Sequence, residues 1–363
     1  MSAPAASASS PSAPQGPSAA RPRMEWMDLL RGTAVLLVVV LHAASIPAST
    51  GDAIREWVLI NRYVEPFRMP MLMLLSGMLL PTSLAKPTAQ YLWGKVAGIV
   101  WPAAVWMVLY GVLVFRNGPG DPDYWLTGDY LWFLLALSAC YLAAVLLRSV
   151  PAVGVAAAML VVVTSVDVPA GLATKTLYYG AFFFLGAGLG HLVPRWITVR
   201  WPLVALLGVA AAVLSHLGLE DQRLRLGTLE AAGISALGLL VILWVAPRLP
   251  VGGAAQFLRW VGRSSIVVYV VHFPILVLLH RGLDRLGADP AWHVALTTAV
   301  GLALTVLMVR LRPRMPWLYL APGAARIAGR LRARAEAREE AGTGADAGAS
   351  TGAPTNADVR AAR

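Results

Sequence analysis

A histidine set deep in an aliphatic run is the first candidate for chemistry in this 363-residue chain. His42 follows Leu36-Leu37-Val38-Val39-Val40-Leu41. It lies ten residues into an uncharged stretch starting at Gly32, about 15 Å along a helix that rises 1.5 Å per residue. That depth is roughly the midplane of a ~30 Å hydrocarbon core. A polar side chain there costs free energy and marks a site by default. A neutral imidazole at such a place can take a proton as a general base. Arg31 and Asp28 precede it by eleven and fourteen residues. At about 100° per residue both return to within about 40° of the His42 direction, so Asp28, Arg31 and His42 share a face. Arg31 stands about 16 Å from His42 along the axis. It is placed at one mouth, where a guanidinium oriented by Asp28 can hold a phosphate. Taken singly, His42 also reads as a packing residue and Arg31 as a charge that anchors the span. Spacing alone leaves both readings open.

Other residues could join them. Arg68 sits between Pro66 and Pro70 at the edge of an apolar run. It is either a fixed cation facing the pore or a residue that snorkels to the interface. Trp132 is a substrate platform or a member of an interfacial belt. Ser265, Tyr269 and His272, at i, i+4 and i+7, form one helical stripe that contacts substrate or glues helices together. His191, His216, His280 and His293 fall near predicted helix ends and read as interfacial. No pair of histidines has metal-ligand spacing, and no Gly-rich phosphate loop or Cys cluster occurs, so no metal is expected.

The elements that position these residues are membrane spans. The chain is 58% hydrophobic and 13% charged, with mean hydropathy +0.65. A soluble domain carries about a quarter charged residues. That excludes a disulfide scaffold, a disordered chain and an ordinary soluble enzyme. Ten stretches without Asp, Glu, Lys or Arg are long enough to cross a bilayer: 32–51, 69–85, 96–115, 130–147, 149–166, 176–194, 201–219, 231–247, 264–280 and 290–309. Backbone groups in hydrocarbon must be bonded within their own segment, which predicts an all-α polytopic protein of about ten helices. Pro66, Pro70 and Pro81 restrict the second and predict a broken or re-entrant element. Cys140 lies alone inside a run, which argues against redox chemistry.

The net charge is +11, but the charges sit between apolar runs, so nucleic acid is not an expected partner. Of 30 basic residues, 27 are Arg, which hints at a GC-rich bacterial genome and a bacterial cell membrane. Residues 1–22 are rich in Ala, Pro and Ser and read as a disordered tail. Residues 23–320 form the membrane domain, and 321–363 a basic and then disordered tail. In that tail Arg326, Arg330, Arg334 and Arg338 recur every four residues, a stripe suited to anionic lipid. Arg21, Arg23, Arg310, Arg312 and Arg314 flank the outermost spans and predict both termini cytoplasmic.

The segment Arg23-Met-Glu-Trp-Met-Asp28-Leu-Leu-Arg31-Gly32-Thr-Ala34, followed by His42, resembles the opening of the bacterial type-3 membrane acyltransferases. Three more stretches are similar in the same order: Phe67-Arg68-Met69-Pro70 with Ser76-Gly77, Tyr130-Leu131-Trp132-Phe133-Leu134, and Gly262-Arg263-Ser264-Ser265 with Tyr269, His272 and Pro274. The likeness covers about residues 23–310. It departs where Met71, Leu72, Met73, Leu74 and Leu75 replace the family's aromatic residues, and no hydrolase-like appended domain is present. The resemblance implies an O-acyltransferase that moves an acyl group, acetyl above all, from acyl-CoA to a hydroxyl of a carbohydrate or glycoconjugate. Acyl-CoA is then a donor substrate, not a bound cofactor. His42, Arg31 and Asp28 are its expected catalytic residues, and Arg68, Ser76, Trp132, Ser265, Tyr269 and His272 its substrate contacts. The rival reading is a transporter or flippase for a lipid-linked sugar or small anion, in which buried charges line a path.

Overall fold

The computed structural model describes residues 24–49, 51, 54–115, 120–220 and 225–351, and among them contains helices and no strand. In chain order these are α1 (Glu25–Ser49), α2 (Arg55–Met78), α3 (Leu80–Leu84), α4 (Thr88–Lys95), α5 (Trp101–Tyr110), α6 (Pro122–Thr127), α7 (Trp132–Leu146) and α8 (Ala152–Ser165). They continue with α9 (Leu172–Leu189), α10 (Val193–Trp196), α11 (Trp201–Glu220), α12 (Leu229–Val245), α13 (Gly253–Arg263), α14 (Ser265–Arg285), α15 (Pro290–Leu311) and α16 (Ala324–Thr351). Each of the ten apolar runs falls on a helix. Eight helical stretches are long and apolar enough to cross a membrane, and the chain is an all-α, multi-pass membrane protein. The two helices below that standard fail for different reasons. α2 carries Arg55, Glu56, Arg62, Glu65 and Arg68, and α8 has 14 residues, about 21 Å of helix.

The second run is broken as expected, but not at Pro66 or Pro70. α2 begins at Arg55, well ahead of the apolar stretch, and continues through Pro66 and Pro70. The break falls at Leu79, where α3 starts afresh with Pro81 in its first turn. A proline there sacrifices no helical bond, whereas one inside a helix is tolerated only where neighbours hold the element in place. α9 supplies that hold. A side chain at Gly77 would strike the Phe183 carbonyl, and one at Gly186 the Leu74 carbonyl. Gly32 and Gly262 bring α1 and α13 equally close, each facing the other helix's carbonyls at Leu258 and Asp28. Such contacts substitute for hydrophobic drive inside a bilayer, where lipid tails are as apolar as leucine.

The segment after α15 is strapped to α4 and α5. A π-helical turn over Val96–Val100 frees the Ala97 carbonyl, which accepts the Ala321 N–H at 3.0 Å. The indole N–H groups of Trp93, Trp101 and Trp106 donate to the carbonyls of Ala324 (3.2 Å), Trp317 (2.7 Å) and Leu318 (3.1 Å). From there α16 runs to Thr351, past residue 341 where disorder is expected. Its alanines favour helix even without a core. Arg326, Arg330 and Arg334 are exposed. The tail over 1–22, and 352–363, lie outside the described residues.

Candidate active site

Alternation of the spans gives the bundle two ends. The proximal end holds the start of α1, the end of α2 and the start of α14; the distal end holds their opposite termini. His42 and His272 meet between them. His42 Nδ1 lies 3.0 Å from His272 Nε2, and His272 is fully buried. The other nitrogen of His272, Nδ1, faces the backbone carbonyls of Tyr269 (2.6 Å) and Val268 (3.2 Å). Carbonyl oxygens only accept, so Nδ1 carries the His272 ring proton and Nε2 its lone pair. His42 Nδ1 must then donate. The lone pair of His42 is left on Nε2, the tautomer a general base requires.

Aromatic rings fix this pair. Phe273 meets the His42 ring edge-on at 4.8 Å and stacks on Tyr130 at 5.0 Å. The Tyr130 hydroxyl donates to the Val270 carbonyl (2.8 Å), and the Tyr269 hydroxyl donates back to the Tyr130 carbonyl (2.7 Å). Two reciprocal bonds therefore lock the Tyr-Leu-Trp-Phe stretch to α14.

At the proximal end a cavity of about 260 Å³ is lined by Asp28, Arg31, Ser76, Arg263, Ser265 and Tyr269 among others. Arg31 Nη1 stands 4.0 Å from Asp28 Oδ1, and Nη2 donates to the Leu75 carbonyl at 3.1 Å. Ser76 Oγ donates to the Leu72 carbonyl, one turn back on its own helix (2.7 Å). Tyr269 belongs to this wall and also packs against His272, 5.7 Å between ring centres. The cavity and the histidine pair are thus contiguous through one side chain.

Towards the distal end, Arg68 is buried at 3% exposure. Its Nη1 donates to Asn61 Oδ1 at 3.2 Å while Nε has no partner. A buried guanidinium left partly unsatisfied is costly, and its field reaches His42. Trp132 is not a bare platform: Tyr179 stacks on it at 5.3 Å and Lys175 Nζ sits 4.7 Å from its ring centre.

Of the expected site residues, the structure gathers Asp28, Arg31, Ser76, Ser265 and Tyr269 round one cavity. It sets His42 against His272, and leaves Arg68 and Trp132 on the distal side. His272 does not line the Arg31 cavity; it faces His42. The sequence reading passed over Arg263, which shares the Arg31 cavity, and Phe273, whose position next to His272 was its only signal. His280 and His293 do not face outward. They are buried at 4% and 2% exposure with ring centres 5.1 Å apart. His191 and His216 are exposed, and His216 Nδ1 meets the Tyr63 hydroxyl at 2.8 Å.

A histidine with its tautomer fixed, beside a cavity carrying arginines, is an arrangement fit for group transfer. Residues 24–310 match the family model described as an acyltransferase domain, and the chain belongs to the type-3 acyltransferase family. It is an acyltransferase, which decides against the transporter reading. No curated protein and no solved structure matched the chain.

Proposed function

We propose that the protein transfers an acyl group, acetyl in the simplest case, from acyl-CoA to a hydroxyl of a carbohydrate or glycoconjugate. The observation that carries this reading is the free lone pair on His42 Nε2. It takes the proton of the acceptor hydroxyl as that oxygen attacks the thioester carbonyl. When the C–S bond breaks, the same proton passes to the departing thiolate, so the imidazole ends as it began. A variant of this route has Nε2 itself carry the acyl group between donor and acceptor. His272 keeps the proton on His42 Nδ1 throughout. Arg31, held by Asp28 and joined by Arg263, binds the phosphates of the donor in the proximal cavity. Arg68 offsets the negative charge that develops on the carbonyl oxygen.

The proximal end is then the cytoplasmic one, both termini are cytoplasmic, and the exposed Arg326, Arg330 and Arg334 rest on anionic lipid of the cell membrane. Acyl-CoA is too highly charged to cross a bilayer, which makes sidedness testable together with activity. Labelled acetyl-CoA offered to sealed inside-out vesicles is expected to label a glycan fraction or release free CoA. Right-side-out vesicles should do neither until permeabilised. Equal use of the donor from both sides overturns the assignment of the Arg31 cavity.

A further inference from the structure

Asp129 combines two anomalies. Its φ is +39°, the one positive φ outside glycine among the described residues, and it follows Gly128 at φ +70°. Its Oδ2 atom is buried with no hydrogen-bond partner. Left-handed backbone on a non-glycine residue costs of order 1 kcal/mol or more and persists where surroundings over-determine it. A buried carboxylate oxygen without a donor is a second cost in the same residue. The side chain caps neither α6 nor the 3₁₀ turn Asp129–Leu131; its carboxylate takes a backbone hydrogen bond from Tyr130, and Oδ2 is left without one.

Its surroundings supply the missing purpose. Asp129 directly precedes Tyr130, which α14 locks in place and which stacks on the ring touching His42. It stands at the distal end, away from the Arg31 cavity. Lys175, whose ammonium lies over Trp132, is the cation whose field reaches Asp129, without an ion pair between them. Both residues are half-buried. A carboxylate that only accepts and an ammonium that only donates carry no net charge together. That combination suits a neutral polyol, whose hydroxyls do both, better than it suits an anion or a cation.

We infer that Asp129, with Lys175 beside it, is an anchor for vicinal hydroxyls of a neutral sugar. It holds the acceptor at the distal side while another hydroxyl faces His42. This rests on the acyl-transfer reading for its place in a reaction, but binding can be tested without turnover. The informative substitution is Asp129→Gly, because glycine adopts the observed φ freely and relieves the strain.

Binding of methyl glucoside, methyl galactoside and methyl N-acetylglucosaminide to the purified full chain is measured by calorimetry. Amide hydrogen exchange over residues 128–133 and thermal melting accompany it. At least one glycoside should bind the native protein and protect that segment. Asp129→Gly should weaken its binding about 10- to 100-fold, the worth of a hydrogen bond to a charged group. Its melting temperature should be unchanged or raised, and acetyl-CoA binding unaltered. Asp129→Asn, which tolerates the same backbone and keeps one acceptor, should fall between. Failure of all three glycosides to bind, or equal binding by Asp129→Gly, overturns the inference whatever the enzyme does. Glycoside binding that depends on Asp129, without any acetyl transfer by the native chain, leaves the anchor standing and removes the acyl-transfer reading instead.

Discussion

Two histidine pairs share one helix of this bundle, and only one of them has the contacts of the proton transfer proposed above. His272 and His280 lie eight residues apart on α14, about 12 Å along its axis. Each faces a histidine of another helix with ring centres 5.1 Å apart, His42 on α1 and His293 on α15. In the first pair a nitrogen-to-nitrogen contact of 3.0 Å continues into the carbonyls of Tyr269 and Val268. In the second, neither nitrogen of His293 has a partner. Ring spacing is therefore equal although His42 alone is only half-buried, and what differs is the fixed tautomer. A buried imidazole becomes a directed base only when something dictates which nitrogen holds the proton.

The largest expected effect comes from breaking the first pair at the proposed base. His42→Gln keeps the size and hydrogen-bonding capacity but cannot accept a proton near neutral pH, so acyl transfer should fall by about 10²–10⁴-fold. Acyl-CoA binding and protein level should hold. Near-normal transfer by the well-expressed variant removes His42 from the mechanism.

Arg31→Ala should weaken donor affinity by about 10- to 100-fold, as expected for loss of a charge-assisted hydrogen bond, and Arg31→Lys by less because the forked geometry goes but the charge stays. Neither should change the pH dependence of turnover, which separates the cavity from the histidine pair. Unchanged donor affinity in both variants reduces Arg31 to an anchor. His272→Phe should cost about 10-fold, the lower end of the same range, because it removes the imidazole that accepts from His42 Nδ1. Its distinguishing sign is the acid limb of the pH–rate profile, where turnover is lost as the base becomes protonated. That limb should move, with donor affinity unchanged. A fixed limb makes His272 a packing residue.

The smallest effect belongs to the second pair. His293→Leu should leave turnover within about 3-fold and leave melting unchanged or higher, since it removes buried polar atoms that lack partners. A large loss of transfer would show that the second pair also serves the reaction.

The sequence carries the spans well because ten uncharged runs can satisfy their backbone in hydrocarbon only as helices. It carries His42 and Arg68 because polarity inside an apolar run is visible one residue at a time. The His42–His272 contact joins positions 230 residues apart, and no periodicity within either helix encodes it. The start of α2 is hidden for the opposite reason. Arg55, Glu56 and Arg62 make its first turns look like a loop, although α9 and α11 pack along that helix. Asp129 is invisible too, because a left-handed aspartate next to a glycine has the same letters as any turn.

The strap behind α15 bears on how the protein is made. Ala97 lies 224 residues ahead of the N–H that its carbonyl accepts, and the three indoles that clamp the strap wait as long for their carbonyls. A nascent chain can insert every span up to Leu311 and still lack the contact that closes the π-turn beside α5. A piece translated only after every span is therefore the latch of the first half. A stop codon between Leu311 and Trp317, beyond the whole family-matching region, should yield inserted spans that never mature into a settled bundle.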